Sequence, residues 1–411
     1  MRITVICPHF APDTAPTGQV ITEIVHELQN LDHHIHVVTS LPWYRDHSVA
    51  SGWRGRLFAT EKTSWGRITR IHPFISNKRT NLLARAIAFA LFSLVAAFAA
   101  SMGRRTELIL TMSPPLTLAP AGWIAATRHR APLVLNIQDV HPDAAVETGT
   151  LSDERLIRLL KRLEIFSYRK ANAITVLSQD LKQRLSDRVE DESKILVIPN
   201  FVDTERIYPA ERDNSYRHEL GVTDETVVLY AGNIGFSQPL DIVLEAAQHF
   251  AQRDDIVFVI NGNGSRRPEF EAAAEEMPNV TFMDYQPHSR LNEVLAAGDI
   301  HIVPLKPGLG SVSVPSKLYS ILAAGRPVLA SVDPGTEIDL VVTQSGAGRS
   351  VRAGDTEAFI SALEALVDDP NGRVAAGLNA RRFAEEWLSS GAVAETYNEL
   401  FFDLRDQRNS P

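Results

Sequence analysis

Cysteine is almost missing from these 411 residues, with Cys7 the single example. That excludes an intrachain disulfide and a cysteine-rich zinc site, and a reducing cytoplasm is the expected setting. A basic excess is missing too: 41 Lys+Arg stand against 50 Asp+Glu, a net charge of −9. No nucleic-acid partner is expected from that balance, though a local phosphate site stays open. Residues 1–7 are too short an apolar run for a secretory leader, and they enter Pro8, His9 and Pro12 with no small-residue cleavage site. They read as a buried first strand. The sequence holds no low-complexity tract and no repeat of solenoid length. What it does hold, 44% hydrophobic and 22% charged residues, is ordinary globular composition. At roughly 150 residues per domain, the length suggests two to three domains.

Strand-like and helix-like runs alternate along the chain. Short apolar runs at 3–7, 35–39, 108–111, 133–137, 173–177 and 195–198 are separated by helical patterns near 20–28, 116–128, 153–170 and 179–185. This is the βαβ alternation of a doubly wound parallel sheet. A Pro-punctuated stretch over 198–209 and a polar segment over 210–215 then read as a linker. The pattern restarts with strands at 227–230, 256–260, 280–283, 300–304 and 328–330. Two α/β domains are expected, 1–203 and 204–388, with a C-terminal helix over 389–411 packing back on the first. Ligands of such pairs bind at strand carboxyl ends and in the cleft between domains.

The densest chemistry lies at 304–330. A strand ends in a Gly/Ser-rich loop containing Ser313, and a helix begins at Pro315, Ser316 and Lys317. Free amides at a helix start, a hydroxyl and a full positive charge suit a diphosphate. A capped surface helix with Lys317 in solvent explains the same residues.

The run from Pro315 through Lys317, Leu318 and Tyr319 to Ala324, Gly325 and Pro327 resembles the donor segment of family-4 retaining glycosyltransferases, in particular the colanic-acid and O-antigen branch. Three other stretches resemble that family in the right order. They are the loop with Gly232, Asn233, Gly235 and Gln238, the linker with Pro199, Asn200, Val202 and Asp203, and the first loop from Pro8 to Gly18. The resemblance spans both domains and implies the GT-B fold, a nucleotide-diphosphate sugar as co-substrate and no metal or other cofactor. It implies donor-side roles for Gly18, Gly232, Asn233, Gly235, Gln238, Gly262, Gly264, Arg267, Tyr285, Ser313, Ser316, Lys317 and Ser320.

Departures from the family pattern shape the expected site. The family's two glutamates, eight residues apart, fall at Val312 and Ser320 here, so neither carboxylate is present. The family's Arg and Lys against the diphosphate fall at Asn233 and Gln238, both neutral. Phosphate neutralisation then passes to Lys317, to helix-start amides, and to Arg266 or Arg267. The glycines of 261–265 are explained equally well by a phosphate loop or by a tight strand–helix turn. Glu337 reads as a helix-start acid.

In the first domain, Asp139, His141, Asp143 and Glu147 follow the strand at 133–137, where a ligand-facing group belongs. By resemblance, Asp139 and then His141 are the candidates beside the transferred sugar or acceptor hydroxyl. A turn before Pro142 and a helix cap are the structural alternatives. His9 is a further candidate, set against a solvated loop histidine.

One uncharged run stands out, from Ala86 to Met102, with Lys78, Arg79 and Arg85 before it and Arg104 and Arg105 after it. At about 20 residues needed to span a bilayer it falls at the lower edge, and spanning would sever the first sheet. Either it packs in the core or it lies on the inner-membrane surface. The basic amphipathic pattern over 153–170 suits an anionic surface or a solvated face. A membrane setting implies a polyprenyl-diphosphate-linked saccharide as acceptor and a peripheral or monotopic enzyme on the cytoplasmic face of the plasma membrane. Two other readings stay open: a sugar-nucleotide 2-epimerase-like enzyme, and a non-catalytic nucleotide-sugar-binding partner of a polysaccharide-assembly complex. A dinucleotide oxidoreductase is disfavoured because the first loop lacks a Gly-x-Gly-x-x-Gly turn.

Overall fold

The computed structural model describes residues 1–44, 48–75, 82–140, 142–143, 153–309 and 316–409. The chain divides into two units, Met1–Asn200 with Val393–Pro411, and Phe201–Ala392. Aliphatic runs of four to seven residues become buried strands, and amphipathic runs between them become the covering helices.

In the first unit the strands are β1 (Arg2–Ile6), β2 (His34–Ser40), β3 (Phe58–Thr63), β4 (Gly66–Ile71), β5 (Leu108–Ser113), β6 (Leu133–Ile137), β7 (Ala173–Val176) and β8 (Ile195–Val197). Their order is β3-β4-β2-β1-β5-β6-β7-β8. Every pairing is parallel except β3 with β4. That hairpin is absent from the sequence reading, because β3 alternates exposed and half-buried positions and carries no apolar run. The helices are α1 (Pro16–Asn30), α2 (Leu82–Ser101), α3 (Leu118–His129), α4 (Glu154–Lys170) and α5 (Gln179–Ser186). Pro16 opens α1, where its fixed φ fits the first turn. Asp153 caps α4 by accepting from the amides of Arg155 and Leu156.

The uncharged run forms most of α2, and the helix has two apolar faces. Ala88, Phe92, Ala96, Ala97 and Ala100 are buried, most of them in the core shared with α3. Ile87, Leu91, Leu94 and Phe98 recur on the other face, with Leu94 and Phe98 each 67% exposed. Among the described residues no helix is long and apolar enough to cross a membrane.

The second unit carries β9 (Thr226–Ala231), β10 (Ile256–Asn261), β11 (Val280–Met283), β12 (Ile300–Pro304), β13 (Val328–Val332) and β14 (Gly348–Arg352), in the order β11-β10-β9-β12-β13-β14 and all parallel. Its helices are α6 (Ser215–Leu220), α7 (Asp241–His249), α8 (Arg267–Ala273), α9 (Leu291–Ala297), α10 (Ser316–Ala323), α11 (Glu337–Ser345), α12 (Thr356–Val367) and α13 (Pro370–Phe383). The segment read as a linker is packed, not free. Val202 donates to Leu388 O at 2.8 Å, and the Arg381 guanidinium donates to the carbonyls of Thr204, Ile207 and Ala323. Further on, Arg212 and the fully buried Arg217 both pair with Asp299. The last helix, α14 (Ser390–Asn409), brings Tyr397 into the first unit, where its hydroxyl accepts from Asn136 Nδ2 at 2.8 Å.

Candidate functional site

In the second unit, the loops after β9 and β10 continue the sheet ladder past the strand ends. Gly232 N donates to Asn261 O and Ile234 N to Asn263 O, each at 2.9 Å. A Cβ on Gly262 would stand 1.9 Å from Gly232 O, and one on Gly264 would stand 2.1 Å from Ile234 O. Both residues have φ near the upper end of the positive range, at 155° and 159°. Close backbone approach therefore accounts for both glycines without any ligand. Gly18, in the first unit, is likewise explained by contact: a Cβ there would come 2.7 Å from His9 Cβ.

Lys317, the second residue of α10, reaches over the β9 loop. Its Nζ lies 3.9 Å from the centroid of the Tyr230 ring, and a Cβ on Gly232 would come 2.8 Å from it. Although part of the side chain is open, Nζ is sealed from solvent and has no hydrogen-bond partner. Burial lowers its pKa from 10.5 to about 7. Desolvating an unpaired ammonium costs several kcal/mol, and the face of a tyrosine returns only about 1–2 kcal/mol. Tyr230 is itself held, with its hydroxyl donating to Asn233 O at 2.5 Å. Gln238 Oε1, in the same loop, is also buried without a partner. The Asn233 amide lies so close to Gly235 that a Cβ there would stand 2.7 Å from its Nδ2.

The arginines expected nearby are committed within the protein. Arg266 pairs with Glu269 at 2.6 Å and Asp241 at 3.5 Å. Arg267 pairs with Glu271 at 2.7 Å and with Asp284, and donates to Gly262 O at 2.8 Å. Of the three cations expected around a diphosphate, Lys317 alone has no carboxylate partner among the described residues. Ser316 opens α10, and Ser320 is half-buried one turn on. Tyr285 is exposed, with its hydroxyl 3.4 Å from Asn263 O. Val312 and Ser313 lie outside the described residues.

In the first unit, Asp139 stands exposed two residues past β6. Gln138 before it is buried in a polar chain: its Nε2 donates to Asn136 Oδ1 at 2.7 Å, and its Oε1 accepts from Asn200 Nδ2 at 3.1 Å. Asp143 is taken up by Arg188, which also donates to the buried Glu164 at 2.8 Å. That ion-pair cluster escaped the sequence reading because its members lie 21 to 45 positions apart, on three separate elements. His141 and Glu147 lie outside the described residues. His9 departs from a solvated loop histidine: it is only 9% exposed and its Nδ1 lies 2.7 Å from Asp13 Oδ2. The spacing of four between His9 and Asp13, with Pro8 before the pair and Pro12 inside it, was the available signal. Among the described residues no group of three or more His, Cys, Asp or Glu side chains could hold a metal ion.

Comparison with known proteins agrees with this layout. A family model described as glycosyl transferase 4-like domain matches residues 17–200, and one described as glycosyl transferases group 1 matches residues 225–369. The chain is 26% identical over 413 aligned residues to WcaI of Escherichia coli, named provisionally as a colanic acid biosynthesis glycosyl transferase, covering 97% of this chain and 98% of that one. Among solved structures, a sucrose-phosphate synthase from Thermosynechococcus elongatus matches with a TM-score of 0.68 at 19% identity, over 98% of this chain and 99% of that one. HepE from Anabaena, in complex with UDP-glucose, matches with a TM-score of 0.64 at 15% identity, over 98% and 100%. With two parallel-sheet domains of the GT-B type and family matches over most of its length, this chain belongs to the group 1, family-4-like glycosyltransferases.

Proposed function

We propose that this glycosyltransferase moves a sugar from a nucleoside-diphosphate sugar to a polyprenyl-diphosphate-linked saccharide, with retention of configuration and without a metal, in the assembly of a cell-surface polysaccharide such as an exopolysaccharide or O-antigen. The observation that carries the reading is Lys317: a buried ammonium over the β9 loop, with no carboxylate and no hydrogen-bond partner among the described residues. A diphosphate is the partner such a group suits. In the reaction, the bond from sugar C1 to the diphosphate oxygen breaks and its electron pair leaves with the diphosphate. The acceptor oxygen bonds to C1 from the same face, and its proton passes to the departing phosphate. Lys317 and the amides that open α10 stabilise the charge gathering on the leaving group. Gln238 Oε1 accepts from a donor hydroxyl, and Asp139 orients the acceptor side, with His141 the second candidate there.

A lipid-linked acceptor accords with α2. Its exposed stripe of Ile87, Leu91, Leu94 and Phe98, followed by Arg104 and Arg105, suits a helix lying in the headgroup region with its cations on anionic lipid. A peripheral setting on the cytoplasmic face of the plasma membrane is part of the same proposal.

Calorimetric titration with UDP-, GDP-, ADP- and dTDP-sugars tests the donor site. At least one donor binds the native protein, and Lys317→Ala weakens it by about 2 kcal/mol or more. Failure of every donor to bind, or equal affinity in the variant, would overturn the reading.

A further inference from the structure

The proposed donor chemistry leaves unused a histidine–carboxylate pair in the first unit. His9 lies three residues past the end of β1, on the same carboxyl edge of the sheet as Asp139 past β6, with only β5 between those strands. Asp13 is a nearly sealed carboxylate, its side chain 3% exposed. It accepts from Thr14 N at 3.0 Å and from Tyr44 N at 3.1 Å. A carboxylate held this way only accepts, so His9 Nδ1 carries the proton and donates to it. The ring's other nitrogen, Nε2, is left for a ligand, as an acceptor in the neutral ring and as a donor in the imidazolium. It is bonded to no described residue, and the His9 side chain keeps 11% of its surface exposed.

The surrounding loop is built to keep this geometry. The buried Arg70 donates to Ala11 O at 2.5 Å, and Ser40 Oγ donates to Pro8 O at 2.6 Å. Thr22 Oγ1 accepts from Ala11 N at 2.9 Å and donates to Gly18 O at 2.6 Å, and Gly18 backs directly on His9. Two aromatic rings flank the histidine. Trp43 is centred 5.3 Å away and Tyr44 5.4 Å away, with Tyr44 39% exposed.

We infer that His9, Trp43 and Tyr44 form a binding subsite for an uncharged sugar ring of the saccharide acceptor. A ring nitrogen fixed in place bonds a sugar hydroxyl, which can donate or accept, while an aromatic face covers the C–H side of the ring. Pre-fixing the loop lowers the ordering cost of a weak saccharide contact. The subsite deepens the transferase reading and rests on it for the word acceptor, but its binding can be measured without any donor.

The test uses the full chain and octyl glycosides of glucose, galactose, mannose, N-acetylglucosamine and fucose, followed by saturation-transfer NMR and tryptophan fluorescence. At least one glycoside binds the native protein, and His9→Ala weakens it about tenfold, the worth of one lost hydrogen bond. His9→Gln, which keeps a polar group, falls between the two, and Trp43→Phe removes the fluorescence change. Melting temperature and nucleotide-sugar affinity stay at native values in His9→Gln, which a merely structural role would not allow together with weakened glycoside binding. Binding of no glycoside, or equal binding by native protein and His9→Ala, overturns the subsite. Glycoside binding through His9 with no nucleotide-sugar binding at all upholds the subsite and overturns the donor reading instead.

Discussion

Lys317 makes donor binding depend on pH with a definite sign. In the free protein burial holds its pKa near 7, against an ordinary 10.5. A bound diphosphate supplies the missing countercharge and returns the value toward the ordinary one, so binding above pH 7 takes up a proton. Nucleotide-sugar affinity is therefore flat below about pH 7 and falls about tenfold per pH unit above it, roughly 100-fold or ~2.7 kcal/mol by pH 9. The diester diphosphate of a nucleotide sugar does not titrate in this window, so the slope reports the protein. Titration calorimetry at pH 6, 7, 8 and 9, in buffers of different ionisation enthalpy, reads both the affinity and the proton uptake. The stability of the free protein moves the opposite way. Between about 7 and 10.5 the unfolded chain holds the proton that the native state has lost, so stability rises with pH across that window. Lys317→Met removes both slopes and raises the melting temperature of the free protein, since an unpaired buried charge gives way to an apolar chain. A pH-independent native affinity from 7 to 9, or an unchanged slope in Lys317→Met, would refute the reasoning.

Three more outcomes follow from other parts of the molecule. Gly262→Ala forces a Cβ to within 1.9 Å of Gly232 O, so it should lower stability by about 2 kcal/mol or more in denaturant melts and weaken donor binding through the displaced β9 loop. A double change of Leu94→Glu and Phe98→Glu replaces two side chains that are 67% exposed, so the melting temperature should hold while sedimentation with anionic phosphatidylglycerol vesicles is lost. Unchanged vesicle binding would place membrane contact elsewhere. Asp139→Asn should lower turnover about 100-fold while leaving donor affinity at the native value, and surviving turnover would remove Asp139 from the acceptor side.

How much of this was legible beforehand depends on the range of the forces involved. The parallel strands were readable because both their faces are buried, which writes them as continuous aliphatic runs such as Leu133–Ile137. The β3–β4 hairpin was not, since an edge strand of sequence FATEKT needs no such run. The uncharged run in α2 was visible as apolar, but its division into a core face and an exposed face depends on α3 packing against one side. Lys317 was readable as a residue, whereas its isolation comes from tertiary burial and from Arg266 and Arg267 being taken by Glu269, Asp241, Glu271 and Asp284. The histidine at position 9 stayed an open candidate for a similar reason. Nothing local announces that Arg70 and Thr22 clamp its loop or that Asp13 is sealed by the amides of a segment 30 positions on.

One product tests the transferase activity most directly. Native protein is incubated with bacterial membranes and a radiolabelled form of whichever nucleotide sugar it binds best, and the organic extract is counted and its new linkage assigned by NMR. Labelled, acid-labile glycolipid with the donor's anomeric configuration is expected, and none with Lys317→Ala. Label confined to the aqueous phase, or a glycolipid of inverted configuration, would contradict the proposed retaining transfer.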